Sequence, residues 1–175
     1  MIPLLIGIFY LSDTVLSDEG KNLAAALIFA LASVTDWLDG FLARRFDQAT
    51  RFGAFLDPVA DKLMVTTALV ILVWLDRVGI FVAAIILGRE LAISALREWM
   101  ALIGESRGVA VSYIGKLKTA SQMVAIILLF LYEPILSIPI YALGTLLVYV
   151  AVVLTVWSMF YYIKKASFIL AQNEK

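Results

Sequence analysis

The stretch from Asp36 to Asp61 reads DWLDGFLARRFDQATRFGAFLDPVAD. Its charged and small residues follow the pattern Asp-x2-Asp-Gly-x2-Ala-Arg-x8-Gly-x3-Asp-x3-Asp, and the surrounding sequence is strongly apolar. Charged side chains are costly within a membrane helix, and where they occur they usually serve a function. This stretch therefore decides both the fold class and the kind of chemistry to expect.

The composition indicates a membrane protein. Of 175 residues, 63% are hydrophobic and the mean hydropathy is +0.97, against about 45–50% apolar residues in a typical soluble domain. The apolar stretches predict six helices, at about residues 1–16, 23–44, 58–75, 78–97, 116–132 and 140–163. We therefore predict an all-α, polytopic protein with six transmembrane helices, forming one catalytic domain over residues 1–175.

The first predicted helix is short for a bilayer. Sixteen helical residues span roughly 24 Å, whereas the hydrocarbon core is about 30 Å thick. No basic region precedes the apolar stretch, and no small-residue cleavage site follows it, so the stretch does not resemble a signal peptide. The expectation is a first membrane helix whose N-terminal part is missing or very short.

The absence of cysteine and histidine excludes several kinds of site. The chain contains neither residue, so disulfides, thiolate metal sites, histidine general bases and Ser-His-Asp triads cannot form. Catalysis would have to use carboxylates, lysine, arginine, hydroxyl groups or a hard metal ion bound by oxygen. The formal net charge is zero, so we expect no nucleic-acid partner.

The basic residues predict an orientation in the membrane. Lys21 and Arg77 fall at one set of predicted helix ends, and Arg89 lies within a helix. The other eleven basic residues fall at the opposite ends: Arg44, Arg45, Arg51, Lys62, Arg97, Arg107, Lys116, Lys118, Lys164, Lys165 and Lys175. By the positive-inside rule, the Asp-rich stretch faces the cytoplasm.

The spacing of the carboxylates predicts a metal site. Asp36, Asp39, Gly40 and Ala43 lie at i, i+3, i+4 and i+7, which is one face of a helix. The set formed by Gly53, Asp57 and Asp61 is spaced at i, i+4 and i+8 on the next helix, if that helix begins early enough.

Pro58 favours a later start near Asp57, with Gly53 in the loop, but the two aspartates can face the same way in either case. Four carboxylates held close together require cations. Oxygen ligands suit Mg²⁺ or Mn²⁺, and four carboxylates can bridge two ions. The small residues Gly40 and Ala43 leave room for a large ligand, and Arg44 can bind a phosphate with its fork of donors.

Two other interpretations of the same residues exist. The carboxylates could form structural ion pairs with neighbouring basic residues, but such pairs require neither this one-faced spacing nor the small residues between them. They could also form a proton or cation relay in a small ion-coupled carrier. We find no internal repeat that would support a carrier, and the glycines and Ala43 would have no role in one.

All eight positions of the pattern match the signature of the CDP-alcohol phosphatidyltransferases, which this chain resembles over almost its whole length. The resemblance implies six membrane helices with the motif on the second and third, a homodimer, and a divalent-metal enzyme of lipid biosynthesis. Such an enzyme transfers a phosphatidyl group from CDP-diacylglycerol to an alcohol and releases CMP. For this chain it implies a protein of the bacterial inner membrane whose active site faces the cytoplasm.

The resemblance also implies roles for individual residues. Asp36, Asp39 and Asp57 are expected to bind the metal ions. Asp61 is expected to act as the general base while also contacting a metal. The CDP-diacylglycerol site is expected to comprise Gly40, Ala43, Arg44 and Gly53.

A second polar set indicates the acceptor. Arg89, Arg97, Lys116 and Lys118 form a candidate pocket for an anion, although Arg89 could instead pair with Glu90 or an aspartate, and the others could be helix-end anchors. The segments 89–99 and 114–119 resemble the family members whose acceptor is glycerol 3-phosphate. Other acceptors in the family are serine, inositol phosphate and phosphatidylglycerol. Family members usually carry a polar amphipathic stretch before the first helix, whereas this sequence starts within that helix.

Overall fold

A computed structural model describes the backbone of residues 1–46, 51–104 and 113–173. It describes the side chains of residues 1–36, 38, 59–104, 115 and 117–169. Within these ranges the chain forms six α-helices and no β-strand, which confirms the all-α prediction. The helices are α1 (Ile2–Phe9), α2 (Asp18–Phe46), α3 (Arg51–Trp74), α4 (Ile80–Leu102), α5 (Tyr113–Leu131) and α6 (Ile140–Asn173).

Several helix boundaries differ from the prediction. Helix α1 ends at Phe9, seven residues early, and α6 continues ten residues beyond Ile163. Helix α2 begins at Asp18 because the Ser17 hydroxyl accepts a hydrogen bond from the Gly20 N–H at 3.3 Å. This serine satisfies one of the free N–H groups that every helix start exposes.

Helix α3 starts before Pro58, which is the earlier of the two starts that the sequence allows. The helix begins at Arg51, so Gly53 and Asp57 both lie on it and Pro58 is inside the helix. The early start places Gly53, Asp57 and Asp61 at i, i+4 and i+8 of one continuous helix, hence on one face.

The apolar core lies between the helices. Each of α2 to α6 contributes buried side chains to it, including Phe29, Leu72, Ile86, Ile126 and Val148. A second, smaller cluster lies between α4 and α6 and consists of Ile93, Met100, Tyr162 and Ala166. The larger core holds the bundle together, and the smaller one lies beside the charged residues of the candidate site.

The turn between α3 and α4 closes with a Schellman motif. Asp76 adopts a left-handed conformation with φ 57°. The Arg77 N–H donates to the Leu72 carbonyl at 2.9 Å, and the Asp76 N–H donates to the Val73 carbonyl at 3.0 Å. These bonds satisfy carbonyls that the end of α3 would otherwise leave free. The turn falls between the third and fourth predicted helices, at residues 76–77.

Arg77 then fastens three segments together. Its Nη1 donates to the carbonyls of Leu129 and Phe130 at the end of α5, both at 3.0 Å. Its Nη2 donates to Asn22 of α2 at 2.8 Å, and its guanidinium stacks 4.3 Å from the centre of the Tyr132 ring. A cation at a helix C-terminus also interacts favourably with the helix dipole. Arg77 therefore fixes the end of the bundle opposite the Asp-rich stretch.

The outer surface is apolar. Among the described residues, one helical segment, Ile140–Ile169, is both long and apolar enough to cross a membrane. Side chains on the outer face of α2 are exposed at intervals of three or four residues: Leu23, Leu27, Leu31, Val34 and Leu38. A soluble monomer rarely exposes so continuous an apolar stripe. The six-span topology remains a prediction.

Close packing between α5 and α6 depends on Gly144. A Cβ atom at this position would lie 2.9 Å from Leu129 Cγ and 3.2 Å from Leu128 Cβ. At Gly88 of α4, by contrast, a Cβ atom would meet no described atom within 4 Å. Of these two helical glycines, Gly144 therefore permits close helix packing within the described structure.

We predict that Gly144→Ala lowers the stability of the protein relative to Gly88→Ala. Both substitutions gain the same helix propensity, but only the first forces a methyl group into a packed interface, at a cost of about 1–3 kcal/mol. Apparent melting temperatures in detergent measure the difference. Equal melting temperatures for the two variants would contradict the role assigned to Gly144.

Candidate functional site

The Asp-rich stretch lies on two helices that follow each other in the chain. Helix α2 carries Asp36, Asp39, Gly40, Ala43 and Arg44, and α3 carries Gly53, Asp57 and Asp61. The side-chain positions of six of these residues lie outside the described part of the structure: Asp39, Gly40, Ala43, Arg44, Gly53 and Asp57. The described geometry of the motif therefore rests on Asp36 and Asp61.

Asp36 and Asp61 line one cavity. It has a volume of about 410 Å³, and most of its remaining wall is apolar, with Met64 and Met123 on one side and the start of α1 on another. Two carboxylates from two helices thus meet at the edge of an apolar space. Carboxylate oxygens are the ligands that Mg²⁺ and Mn²⁺ prefer. The described side chains include no cluster of three or more acidic groups, so a complete metal site would need Asp39 or Asp57 as well.

Asp61 also lines a second cavity, which differs in character from the first. This cavity has a volume of about 390 Å³ and contains the side chains of Lys62, Arg89, Glu90 and Arg97. It is rich in charge and in hydrogen-bond donors. The structure therefore brings Arg89 and Arg97 together with Asp61, although α3 and α4 supply them from distant points in the sequence.

Arg89 is buried, with 7% of its surface exposed. Its Nη2 donates to the Ser158 hydroxyl on α6 at 2.9 Å, and its Nη1 lies 3.7 Å from a carboxylate oxygen of Glu90. Its Nε is buried and has no hydrogen-bond partner among the described residues. The alternative of a pair with Glu90 is thus observed, and the Arg89 side chain also lines the charged cavity.

Arg97 lies two turns further along α4. Its Nη2 donates to the Tyr162 hydroxyl at 3.0 Å, and its guanidinium carbon lies 5.0 Å from the centre of the Tyr162 ring. Its Nε, like that of Arg89, is buried without a partner in the described structure. Two guanidinium groups that line one cavity make it a candidate site for an anion.

Lys118 is held differently from the two arginines. It is almost completely buried, with 1% of its side chain exposed, and its ammonium group pairs closely with the Glu90 carboxylate. This pair connects α5 to α4. Lys116 is on the same helix, but its side chain lies outside the described residues. Of the four predicted acceptor-binding residues, Arg89 and Arg97 line the cavity, and Lys118 contacts one of its walls through Glu90.

Ser158 and Tyr162 are contributions that the sequence analysis missed. Both belong to α6, both are buried, and both contact the arginines of α4. A signal for them existed: two hydroxyl side chains four residues apart lie on one face of an otherwise apolar helix. That signal shows that the face is buried against something polar, but it does not identify the partner helix.

Comparison with known proteins gives a consistent result. Residues 1–157 match the family model described as CDP-alcohol phosphatidyltransferase. A protein of Sodalis glossinidius (strain morsitans) is 51% identical, and the match covers 95% of this chain and 88% of the relative. Proteins of Escherichia coli (strain K12) and Shigella flexneri are 49% identical with the same coverage. All three relatives carry the name CDP-diacylglycerol–glycerol-3-phosphate 3-phosphatidyltransferase.

We predict that Glu90→Ala destabilises the protein far more than the double substitution Glu90→Gln/Lys118→Met. The single change leaves a buried ammonium group without its carboxylate, which costs about 3–5 kcal/mol, whereas removing both charges together is often nearly neutral. Apparent melting temperatures in detergent measure both effects.

Glu98→Ala is the matched control for this prediction, because Glu98 is an exposed glutamate on the same helix. Its melting temperature should stay close to that of the unmodified protein. If Glu90→Ala behaved like Glu98→Ala, the pair with Lys118 would not be a stabilising contact.

Proposed function

The chain belongs to the CDP-alcohol phosphatidyltransferase family, and we infer from this that it transfers the phosphatidyl group of CDP-diacylglycerol to glycerol 3-phosphate. The products are phosphatidylglycerol phosphate and CMP. The acceptor follows from the relatives, which are about half identical to this chain over nearly its whole length and are named for glycerol 3-phosphate. The reaction belongs to phospholipid biosynthesis.

The observation that carries the proposal is the position of Asp61 between two cavities of opposite character. One cavity is largely apolar and suits a lipid substrate at a bilayer. The other is lined by Arg89, which is buried, and by Arg97, which is partly buried, and it suits a phosphate dianion. A transferase that joins a lipid to an anionic alcohol needs both spaces, with a proton acceptor where they meet.

The proposed reaction is a direct displacement. Asp61 accepts the proton of the primary hydroxyl of glycerol 3-phosphate, and the oxygen attacks the phosphorus of the phosphatidyl group. A bond forms between that phosphorus and the acceptor oxygen, and the bond to the bridging oxygen of the diphosphate breaks. CMP leaves with the electron pair. Arg89 and Arg97 hold the acceptor phosphate together with Lys116, and Lys118 acts indirectly by holding Glu90 in the cavity wall.

Asp36, Asp39, Asp57 and Asp61 are the residues that would hold two ions of Mg²⁺ or Mn²⁺. The convergence of Asp36 and Asp61 on one cavity supports this assignment. When bound, such ions neutralise the charge on the diphosphate. Arg44 adds donors for the same diphosphate, and Gly40, Ala43 and Gly53 leave space for the nucleotide.

The protein is further proposed to span the membrane six times as a homodimer, with its site at the cytoplasmic surface. The apolar outer stripe of α2 and the long apolar segment of α6 support contact with lipid. The predominance of basic residues near the Asp61 end supports the orientation. The aspartates and the arginines would then meet soluble acceptor and CMP at the membrane surface.

We predict that the purified protein releases CMP from CDP-diacylglycerol only when both Mg²⁺ and glycerol 3-phosphate are present. Chelation of the metal should abolish release, and added Mg²⁺ should restore it. Serine and inositol are the acceptor controls. Faster CMP release with serine or inositol would show that glycerol 3-phosphate is not the preferred acceptor, although the transfer reaction of the family would still be supported. CMP release without any divalent ion would contradict the metal site.

We predict that Asp61→Asn lowers turnover by about 100- to 10,000-fold, because the amide cannot accept the hydroxyl proton. Binding of CDP-diacylglycerol should be largely retained. Asp76→Asn is the matched control: it makes the same chemical change at the opposite end of the bundle, and asparagine tolerates the left-handed conformation there. Near-normal turnover of Asp61→Asn would exclude Asp61 as the general base.

A further inference from the structure

Helix α6 carries polar groups that the proposed reaction does not use. Ser158 and Tyr162 are four residues apart and therefore lie on one face of the helix. Both are essentially completely buried, and Tyr162 belongs to the small apolar cluster with Ile93 and Met100 of α4. Polar side chains buried so deeply need a partner, and here the partners are the two arginines of the charged cavity.

The Tyr162 ring contacts both arginines. The guanidinium carbons of Arg97 and Arg89 lie 5.0 Å and 5.8 Å from the ring centre, which is within the range of cation–π attraction. The Tyr162 hydroxyl accepts the hydrogen bond from Arg97, and Ser158 accepts the one from Arg89. The Tyr162 ring thus attracts both guanidinium groups, which carry like charges and repel each other.

Holding the arginines in this way has a cost and a benefit. A free arginine side chain has many rotamers, and fixing one costs up to about 2 kcal/mol of entropy. If α6 fixes both side chains before the acceptor arrives, the acceptor does not have to supply that energy on binding. The bonds to α6 are made by Nη2 of each arginine, and both side chains line the charged cavity, so other donors of each guanidinium are left for an incoming anion.

We infer that Tyr162, assisted by Ser158, is a positioning residue for the phosphate of the acceptor. It holds Arg97 and Arg89 in place, and α6 thereby becomes part of a binding site whose charged residues come from α4. This inference rests on the proposed function, since it assigns the charged cavity to the acceptor. Tyr162 itself contacts neither substrate in this arrangement.

The test compares Tyr162→Phe with Tyr161→Phe. Both substitutions remove one hydroxyl and keep the ring, but the Tyr161 side chain is exposed, and its contact with Tyr162 is made by the ring, which phenylalanine retains. For Tyr162→Phe we expect the KM for glycerol 3-phosphate to rise about fivefold to tenfold, with kcat and the KM for CDP-diacylglycerol within about twofold of normal. Tyr161→Phe should leave all three constants unchanged.

A second readout does not depend on turnover. Inorganic phosphate should raise the apparent melting temperature of the unmodified protein, and the concentration needed for half of this effect should rise for Tyr162→Phe by the same factor as the KM. The double variant Tyr162→Phe/Arg97→Gln should be no weaker towards phosphate than Arg97→Gln alone, because residues that act through one another are not additive.

The possible outcomes separate the two proposals. If the unmodified protein releases no CMP with glycerol 3-phosphate, the proposed function fails, whereas a weaker phosphate effect in Tyr162→Phe still supports the positioning role. If phosphate affects both tyrosine variants equally, the positioning role is overturned whatever the activity. A fall in kcat or in folded yield with both KM values unchanged would indicate a structural role only, and would also overturn it.

Discussion

The arrangement of the second half of the chain depends on the burial of cationic side chains in an apolar bundle. Arg89 and Lys118 are more than nine-tenths buried, and a buried charge without a partner costs several kcal/mol. Their partners lie mostly on other helices, since Lys118 of α5 pairs with Glu90 of α4, and Arg89 bonds to Ser158 of α6. These contacts fix how far α4, α5 and α6 can slide or rotate against one another.

The same contacts that satisfy the buried charges also build the charged cavity beside Asp61. Glu90 neutralises Lys118, so the net positive character of the cavity comes mainly from the two arginines and Lys62. At the opposite end, Arg77 has a different task, because its donors are used by the carbonyls of α5 and by Asn22. An arginine whose Nη groups are bound to helix-end carbonyls stabilises the end of the bundle, whereas one that lines a cavity can bind a ligand.

Much of the fold and of the site could be predicted from the sequence. The number of helices and the placement of the aspartates on α2 and α3 follow from spacing and from apolar periodicity. A pocket that contains Arg89 and Arg97 was also expected, but the structure alone shows that Asp61 lines the same cavity. The start of α3 at Arg51 could not be predicted, because Pro58 is also compatible with a later start. Tyr162 was missed for a different reason: its role depends on which helix faces α6, and no local pattern encodes that.

The sequence by itself determined the chemistry that this protein can perform. The absence of histidine and cysteine restricts catalysis to carboxylates, lysine, arginine, hydroxyl groups or a hard metal ion, and the eight positions from Asp36 to Asp61 favour carboxylates among these. Only the tertiary structure decided which role each basic residue has. Whether an arginine caps a helix, pairs with a glutamate or keeps a donor for an anion depends on the neighbours it meets, and packing between distant helices supplies those neighbours.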